Sequence, residues 1–241
     1  MFSPTSTSQA LPTRSAHAGM PQHVAIIMDG NRRWAKQRHL PSLVGHQQGV
    51  QALKRTVTHA LSLNIAVLTV YAFSTENWQR PAEELAGLMD VLGEAMVNEL
   101  EPLARQGVRV QFLGDLTAFS HKLQALMSQL AQTTQHNTQL ILQVALNYGG
   151  RAELIHALNR WQQEHPGQAL TEALLSEQLS PLPEPDLLIR TGGEQRLSNF
   201  LLWQLAYSEL YFTPTLWPDF GPDRLDEALS HFIQRQRRFG K

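Results

Sequence analysis

Six short apolar runs alternate with amphipathic stretches along this chain, and the alternation predicts an α/β fold. Val24 to Met28 is an unbroken β-branched and aliphatic run, the pattern of a strand buried on both faces. Ile65 to Tyr71, Val108 to Leu113, Leu140 to Leu146, Asp186 to Arg190 and Ser208 to Phe212 read as five more strands. Between them, Val50, Leu53, Val57 and Leu61 recur at helical spacing. Leu85 to Leu103 makes a wide apolar face introduced by Pro81 and two glutamates, and Leu116 to Gln132, Gly150 to Gln163 and a short segment from Thr171 read as further helices. Strands alternating with helices imply right-handed crossovers and a single domain built on a central, mostly parallel six-stranded sheet wrapped by helices. The polar loops after Met28, Tyr71, Leu146 and Ile189 then emerge at one edge of that sheet.

Composition narrows the picture without redirecting it. A chain of 241 residues, 42% hydrophobic and 17% charged, can bury one sizeable core. Twenty Lys and Arg against 21 Asp and Glu leave a net charge of -1, so no basic footprint for nucleic acid is expected and any anion site must be a local cluster. The absence of cysteine excludes disulfides, a thiolate nucleophile and a cysteine zinc cage, and agrees with a reducing, cytoplasmic setting. No apolar run is long enough to span a membrane. Residues 1–22 are rich in Ser, Thr, Ala and Pro and read as a disordered tail without the apolar core of a secretory signal, leaving 23–241 as the folded domain.

The candidate chemistry sits at the shared edge. In Asp29-Gly30-Asn31 a carboxylate ends the first strand, and ligand crevices of open α/β sheets lie beyond the carboxyl ends of strands. Gly30 lets a ligand approach the backbone, and Asn31 is expected to cap the next helix, whose free N–H groups favour an anion. The same edge collects Arg33, His46, Ser74, Glu76, Arg80, Arg190, Arg196 and Ser198. Guanidinium forks, hydroxyls and glycine loops suit multiply charged phosphates. A lone carboxylate among arginines suits Mg²⁺ bridging diphosphate oxygens, because that ion takes few protein ligands.

Several motifs resemble a known family. Asp29-Gly30-Asn31-Arg32-Arg33-Trp34-Ala35, Gly45-His46, Tyr71-Ala72-Phe73-Ser74-Thr75-Glu76-Asn77-Trp78, Asn147-Tyr148-Gly149-Gly150-Arg151, Ile189-Arg190-Thr191-Gly192-Gly193-Glu194 and Trp217-Pro218-Asp219-Phe220 are similar, in this order, to motifs of the cis-prenyltransferases, above all the bacterial undecaprenyl diphosphate synthases. The resemblance runs from about His23 to Gly240. It implies a homodimeric, Mg²⁺-dependent enzyme that condenses isopentenyl diphosphate repeatedly onto farnesyl diphosphate. The product would be a long cis-polyprenyl diphosphate, precursor of the lipid carrier for cell-wall polysaccharide, released with peripheral contact to the inner face of the membrane.

Carried over by position, the resemblance makes Asp29 the metal-linked carboxylate and Glu209 the second one. Asn31 and His46 join Asp29 as catalytic residues. Gly30, Asn31, Arg32, Arg33, Trp34, Arg38 and His46 would cradle the allylic diphosphate. Phe73, Ser74, Thr75, Glu76, Trp78 and Arg80 would order a loop over the substrates, while Arg190, Arg196 and Ser198 would hold isopentenyl diphosphate. The broad face from Leu85 to Leu103 and Leu140 are expected to line an apolar tunnel for the product chain. Asn31, His46 or a diphosphate oxygen could each accept the proton released after condensation. Two other classes fit part of the pattern. A phosphohydrolase could use a strand-borne Asp29 nucleophile, though such chemistry commonly needs a second acid where Asn31 stands. A non-catalytic partner subunit would lack charged residues such as Asp29, Arg190, Arg196 and Glu209, which are present here.

Overall fold

The chain places its first strand in the middle of the sheet. In a computed structural model, which describes residues 19–179 and 182–235, the strands are β1 His23–Ile27, β2 Val67–Ser74, β3 Val108–Leu113, β4 Leu140–Tyr148, β5 Leu187–Arg190 and β6 Glu209–Phe212. They form one six-stranded sheet in the order β3-β4-β2-β1-β5-β6, and every pairing is parallel. All six expected strands are present, with ends shifted by a few residues. β1 explains its central place: all five residues are buried, Val24 and Ile26 joining the core on one face of the sheet and Ala25 and Ile27 the core on the other.

Helices cover the sheet: α1 Asn31–Gln37, α2 Ser42–Ser62, α3 Ala82–Ala95, α4 Glu101–Ala104, α5 His121–Thr134, α6 Gly150–Glu164, α7 Glu172–Gln178 and α8 Pro222–Gln234. The expected single helix from Leu85 to Leu103 is interrupted by a π turn at Met96–Leu100, between α3 and α4. Pro102 has no N–H to give to the carbonyl four residues back, so the hydrogen-bond ladder slips just before it. The expected helix from Leu116 likewise begins as a 3-10 turn, Leu116–Ala118, and restarts at Ser120, whose side chain accepts the Leu123 N–H. The sequence pattern gave no notice of α8. No helix among the described residues is long and apolar enough to cross a membrane.

Most of the expected tail, residues 1–18, lies outside the described residues, but its end belongs to the fold. Met20 packs against the core and Pro21 is buried. The Gln22 N–H donates to the Asp186 carboxylate (2.8 Å), while its carbonyl accepts the N–H groups of Ala66 and Val67. Backbone pairing thus extends the ordered domain upstream of His23.

The edge of the sheet opposite the loops carries a buried polar bridge. His23, 3% exposed, has Nδ1 2.6 Å from the Pro183 carbonyl and Nε2 2.7 Å from the Thr69 hydroxyl, which lies 3.1 Å from the Gln143 side-chain amide. Burial lowers the His23 pKa to about 4, against the opposing pull of the Pro183 carbonyl and Asp186. The folded chain therefore holds a neutral imidazole, while the unfolded chain takes up a proton below its ordinary value of about 6.5. The resulting stability is complete above pH 6.5 and lost as pH falls toward 4. By linkage the loss at pH 4.5 is on the order of 2 to 3 kcal/mol. Denaturant titrations at pH 7.5 and 4.5 should show His23→Gln losing less stability on acidification than the parent by about that amount; identical acid slopes would remove His23 as the sensor.

Candidate active site

β1 runs next to β2 on one side and to β5, which follows much later in the chain, on the other. That is a topological switch point, where connections depart in opposite directions and leave a crevice beyond the strand ends. Asp29 and Arg190 face each other across it. Ile27 is in register with Arg190, and Arg190 Nη2 donates to Asp29 Oδ2 at 3.1 Å. The Arg190 side chain is 4% exposed and that of Asp29 is 30% exposed. Arg190 Nη1 donates to the Ser198 hydroxyl (2.7 Å) and to the Arg196 carbonyl. Arg33 closes the other side of the carboxylate, with Nη2 3.0 Å from Asp29 Oδ1, and Nη1 donates to the Gly192 carbonyl. Arg196 pairs with Glu194 at 2.5 Å. The Asp29 carbonyl, in turn, accepts the Thr191 hydroxyl (2.7 Å) and the Trp217 N–H (3.0 Å). Gly192 has φ +85°, and a Cβ there would run into Arg33 and the Asp29 backbone, so only glycine lets the two loops close.

A second basic group lies on α1, α2 and the loop after β2. Arg80 Nη1 donates to Glu84 Oε1 (3.1 Å), and Arg32 approaches the same oxygen at 3.7 Å. His46 stands beside them. Burial and then Arg80 lower its pKa to about 4, Arg32 adding to the effect and Glu84 opposing it. In the free protein at neutral pH it is an uncharged hydrogen-bonding group.

Asn31 joins the two groups, but not as a helix cap. Gly30 is the N-cap of α1 and Asn31 is its first residue. The Asn31 amide meets His46 Nδ1 at 3.3 Å, while Asn31 Oδ1 and His46 Nε2 are buried with no protein partner. Two buried polar atoms so placed are poised for a ligand. The close approach depends on α2: a Cβ at Gly45 would strike the Asn31 carbonyl, and one at Gly49 would come within 2.5 Å of Asn31 Oδ1 and 3.0 Å of the Trp217 ring.

The loop after β2 is ordered by its own polar groups. Thr75–Gln79 forms a 3-10 turn closed by reciprocal bonds between Ser74 and Asn77. Trp78 packs edge-on against Phe73 at 5.0 Å, and its indole N–H donates to Asn147 (2.8 Å). Glu76 accepts from Asn199 (3.2 Å). Burial would raise the Glu76 pKa, yet hydrogen bonds from its own N–H, Ser74, Asn199 and Thr75 hold it below the usual carboxylate value. Asn147, Ser198, Asn199 and Leu201 all adopt positive φ, and this concentration of costly backbone lies at the end of β4 and in the loop after β5, which meet here.

Behind Asn31 and His46 opens an apolar cavity with about 860 Å³ of empty space, its open mouth included. Leu88, Leu92 and Met96 from the α3 run, Val50 and Leu53 from α2, and Phe73, Phe112, Val144 and Leu146 from the sheet line it. The expected face between Leu85 and Leu103 thus does border empty space. Leu140 does not: it is fully buried among core side chains at the start of β4, away from the lining.

One other expectation meets a different geometry. Glu209 begins β6, and the parallel register aligns it with Leu187 at the opposite edge from Asp29, where it pairs with Arg235 at 2.7 Å. Within one chain it cannot share an ion with Asp29. Trp34 and Arg38 turn to Asp219, which borders the same hollow as Arg33 and Gly192: the indole donates at 2.6 Å, the guanidinium lies 3.2 Å away and stacks 4.1 Å over the Trp34 ring. Conversely, Glu84, Thr191, Gly192, Glu194 and Trp217 belong to the site and were not picked out individually. The spacing of four between Arg80 and Glu84 could have revealed one of them. Among the described residues no three His, Cys, Asp or Glu side chains converge on one point.

Because Gly49 admits Asn31 to its place, Gly49→Ala should lower kcat at least ~10-fold, about 1.4 kcal/mol of transition-state stabilisation, with a smaller effect on the melting temperature. Steady-state kinetics together with a thermal melt would check this. Full activity in Gly49→Ala would show that the position of Asn31 is not critical.

Comparison with known proteins identifies the family of the chain. Residues 27–240 match the prenyltransferase family model, that of the undecaprenyl diphosphate synthases. An isoprenyl transferase of Nitrosomonas europaea is 46% identical over 240 residues, covering 98% of this chain and 90% of the relative. A ditrans,polycis-undecaprenyl-diphosphate synthase ((2E,6E)-farnesyl-diphosphate specific) of Pseudomonas aeruginosa is 47% identical over 229 residues, covering 92% and 91%. Among solved structures, lavandulyl diphosphate synthase of Lavandula x intermedia in complex with dimethylallyl diphosphate superposes with a TM-score of 0.89 at 37% identity, over 93% of this chain and 100% of that one. A probable undecaprenyl diphosphate synthase of Campylobacter jejuni gives 0.79 at 34%, over 92% and 99%.

Proposed function

The chain belongs to the undecaprenyl diphosphate synthase family of prenyltransferases, and from that premise we propose that it condenses isopentenyl diphosphate repeatedly onto farnesyl diphosphate to make undecaprenyl diphosphate, the lipid-carrier precursor for cell-wall polysaccharide. One observation carries the reading: two basic groups, one around Asp29 and one around Glu84, flank the Asn31–His46 contact at the mouth of an apolar cavity. A pair of diphosphates and a hydrocarbon chain need such a layout. Arg190, Arg196 and Ser198 suit isopentenyl diphosphate, whereas Arg32, Arg80 and His46 suit the allylic diphosphate above the cavity. Arg33, bridging toward Gly192 and Glu194, lies with the first set. The Pseudomonas relative's name specifies farnesyl diphosphate, and the lavender structure holds an allylic diphosphate, both in support.

The bond changes balance without an added oxidant or a covalent enzyme intermediate. The double bond of isopentenyl diphosphate attacks C1 of the allylic substrate, the C–O bond breaks with its electrons going to the departing diphosphate, and a proton leaves C2 of the former isopentenyl unit. Fixed guanidinium groups assist most where negative charge grows, at the departing diphosphate. Asp29 would hold Mg²⁺ together with diphosphate oxygens, and the bound ion supplies charge neutralisation at the leaving group. Its side chain, 30% exposed, is open to such an ion once ligand phosphates take Arg33 and Arg190 as partners in place of the carboxylate. His46, its pKa lowered to about 4 in the free protein, is an uncharged imidazole there and can give a hydrogen bond to the allylic diphosphate. The exposed side chains of Ile155 and Leu158 on α6 and of Tyr207 support a homodimer, and a prenyl product supports peripheral contact with the inner face of the cytoplasmic membrane.

The direct test is incubation of the purified protein with farnesyl diphosphate, isopentenyl diphosphate and Mg²⁺, followed by product sizing; release of phosphate with no lengthened prenyl chain would defeat the reading. Arg190→Ala should raise the KM for isopentenyl diphosphate by roughly 10- to 150-fold, a loss of about 1.5 to 3 kcal/mol for a charge-assisted fork. It should change farnesyl diphosphate affinity far less. Equal weakening of both would merge the two sites. Asp29→Ala should keep the fold and farnesyl diphosphate binding but slow single-turnover condensation at least ~100-fold, about 2.7 kcal/mol. Near-parental turnover with unaltered Mg²⁺ dependence would take Asp29 out of the reaction.

A further inference from the structure

The cavity wall has a charged break far from the diphosphate groups. Glu99, on the π turn, accepts from the Gln51 side-chain amide at 2.7 Å and lies 2.8 Å from Lys54 Nζ. Lys54 and Glu99 both border the cavity, and their side chains are 43% and 15% exposed, so the pair reaches from the cavity to solvent. It crosses the seam between α2 and the α3–α4 run. Burial would raise the Glu99 pKa, but hydrogen bonds from Lys54 and Gln51 and the Lys54 charge hold it low. The carboxylate therefore stays ionised.

Two magnitudes give the break a consequence. Lys54 lies eight residues beyond His46 on α2, about 12 Å along the helix, so a chain growing inward from the diphosphate end reaches the seam early. Cavities of roughly 300 to 1,000 Å³ hold ligands of drug size; the room here for the centre of a water-sized sphere is about 110 Å³, too small for eleven five-carbon units. A longer chain must widen the cavity or leave it. Hydrocarbon pressed against an ion pair strips its water without replacing the hydrogen bonds, which is unfavourable. Yet Lys54, the exposed half of the pair, is held only weakly, and the helix at this point is already off the α ladder, a setting common at functional sites.

Resting on the proposed function, we infer that the Lys54–Glu99–Gln51 cluster is a latch across the α2/α3 seam that determines product length. Closed, it fences the growing hydrocarbon with charge and restrains elongation. When it opens, the tail passes between the helices, where Val97 on the same turn, 47% exposed, offers apolar surface on the outside. These are specificity-determining side chains for the chain length of the product, not groups that touch the reacting atoms.

The test sizes the products formed from farnesyl and isopentenyl diphosphates with Mg²⁺ and phosphatidylcholine vesicles. It compares the parent protein with Glu99→Gln, Lys54→Met and the double exchange Lys54→Glu with Glu99→Lys. Each single substitution should move the main product longer by at least one isoprene unit, and the exchange, which restores an ion pair in reverse, should bring it back. A thermal melt identifies any variant that has lost its fold; the double exchange, reading the pair and not either residue, then decides. Unchanged or shorter products from folded single variants would overturn the latch, as would an exchange that behaves like the single variants. Should the parent itself elongate nothing, the functional reading falls and the latch with it; elongation by the parent with indifferent variants sinks the latch alone.

Discussion

The pairing of Asp29 with Arg190 across the β1/β5 crevice is the contact on which the site depends. A guanidinium only 4% exposed is tolerated in a protein interior when its N–H groups are answered. Here a carboxylate, a hydroxyl and a carbonyl answer most of them, while Nε is left without a partner. The other loops are arranged to deliver those acceptors. Ser198 and Arg196 come on a segment with left-handed backbone, and Thr191 and Trp217 fix the Asp29 carbonyl from two sides. The crevice is thereby preorganised for a second anion to replace the carboxylate as the partner of the arginines.

Much of the architecture was legible because buried parallel strands announce themselves. Val24 to Met28 and Leu140 to Leu146 have almost no polar interruption, the pattern of strands buried on both faces. The position of Asp29, Arg190, Arg196 and Ser198 at one edge followed from strand direction alone. What did not follow was register and side-chain aim. Glu209 lies as near in sequence to its strand as Arg190 does to β5, but it opens the strand where Arg190 closes one, and in a parallel sheet that puts them at opposite edges. Trp34 and Arg38 sit among phosphate-site residues on α1, and helical rotation turns them toward Asp219, a partner 181 residues from Arg38. Pro102 was visible all along, but its effect appears four residues earlier, in the slipped turn that carries Glu99.

The division between a charged rim and an apolar interior rests on small residues as much as on large ones. Gly45 and Gly49, one helical turn apart, form a notch in α2 that seats Asn31 directly beneath the rim. Without the notch the two compartments would be separated by a layer of side chains. With it, a single amide touches His46 on one side and borders the cavity on the other, so a ligand can have its ionic end and its hydrocarbon end satisfied at once.

The central position of the first strand also bears on how the molecule comes to exist. β1 needs β5, and the two halves of the Asp29–Arg190 contact lie 161 residues apart. At ribosomal rates of 5 to 20 residues per second, roughly 8 to 32 s separate their synthesis. Once β2 has followed, β1 can pair with it but has one flank bare until β5 arrives, a row of unanswered backbone groups in the middle of what will be the sheet. A nascent chain in this state is open to misassociation, and long-range parallel pairing is slow. The β1/β5 pairing therefore forms only after the last quarter of the polypeptide has begun to appear, and the catalytic crevice is among the last features to assemble.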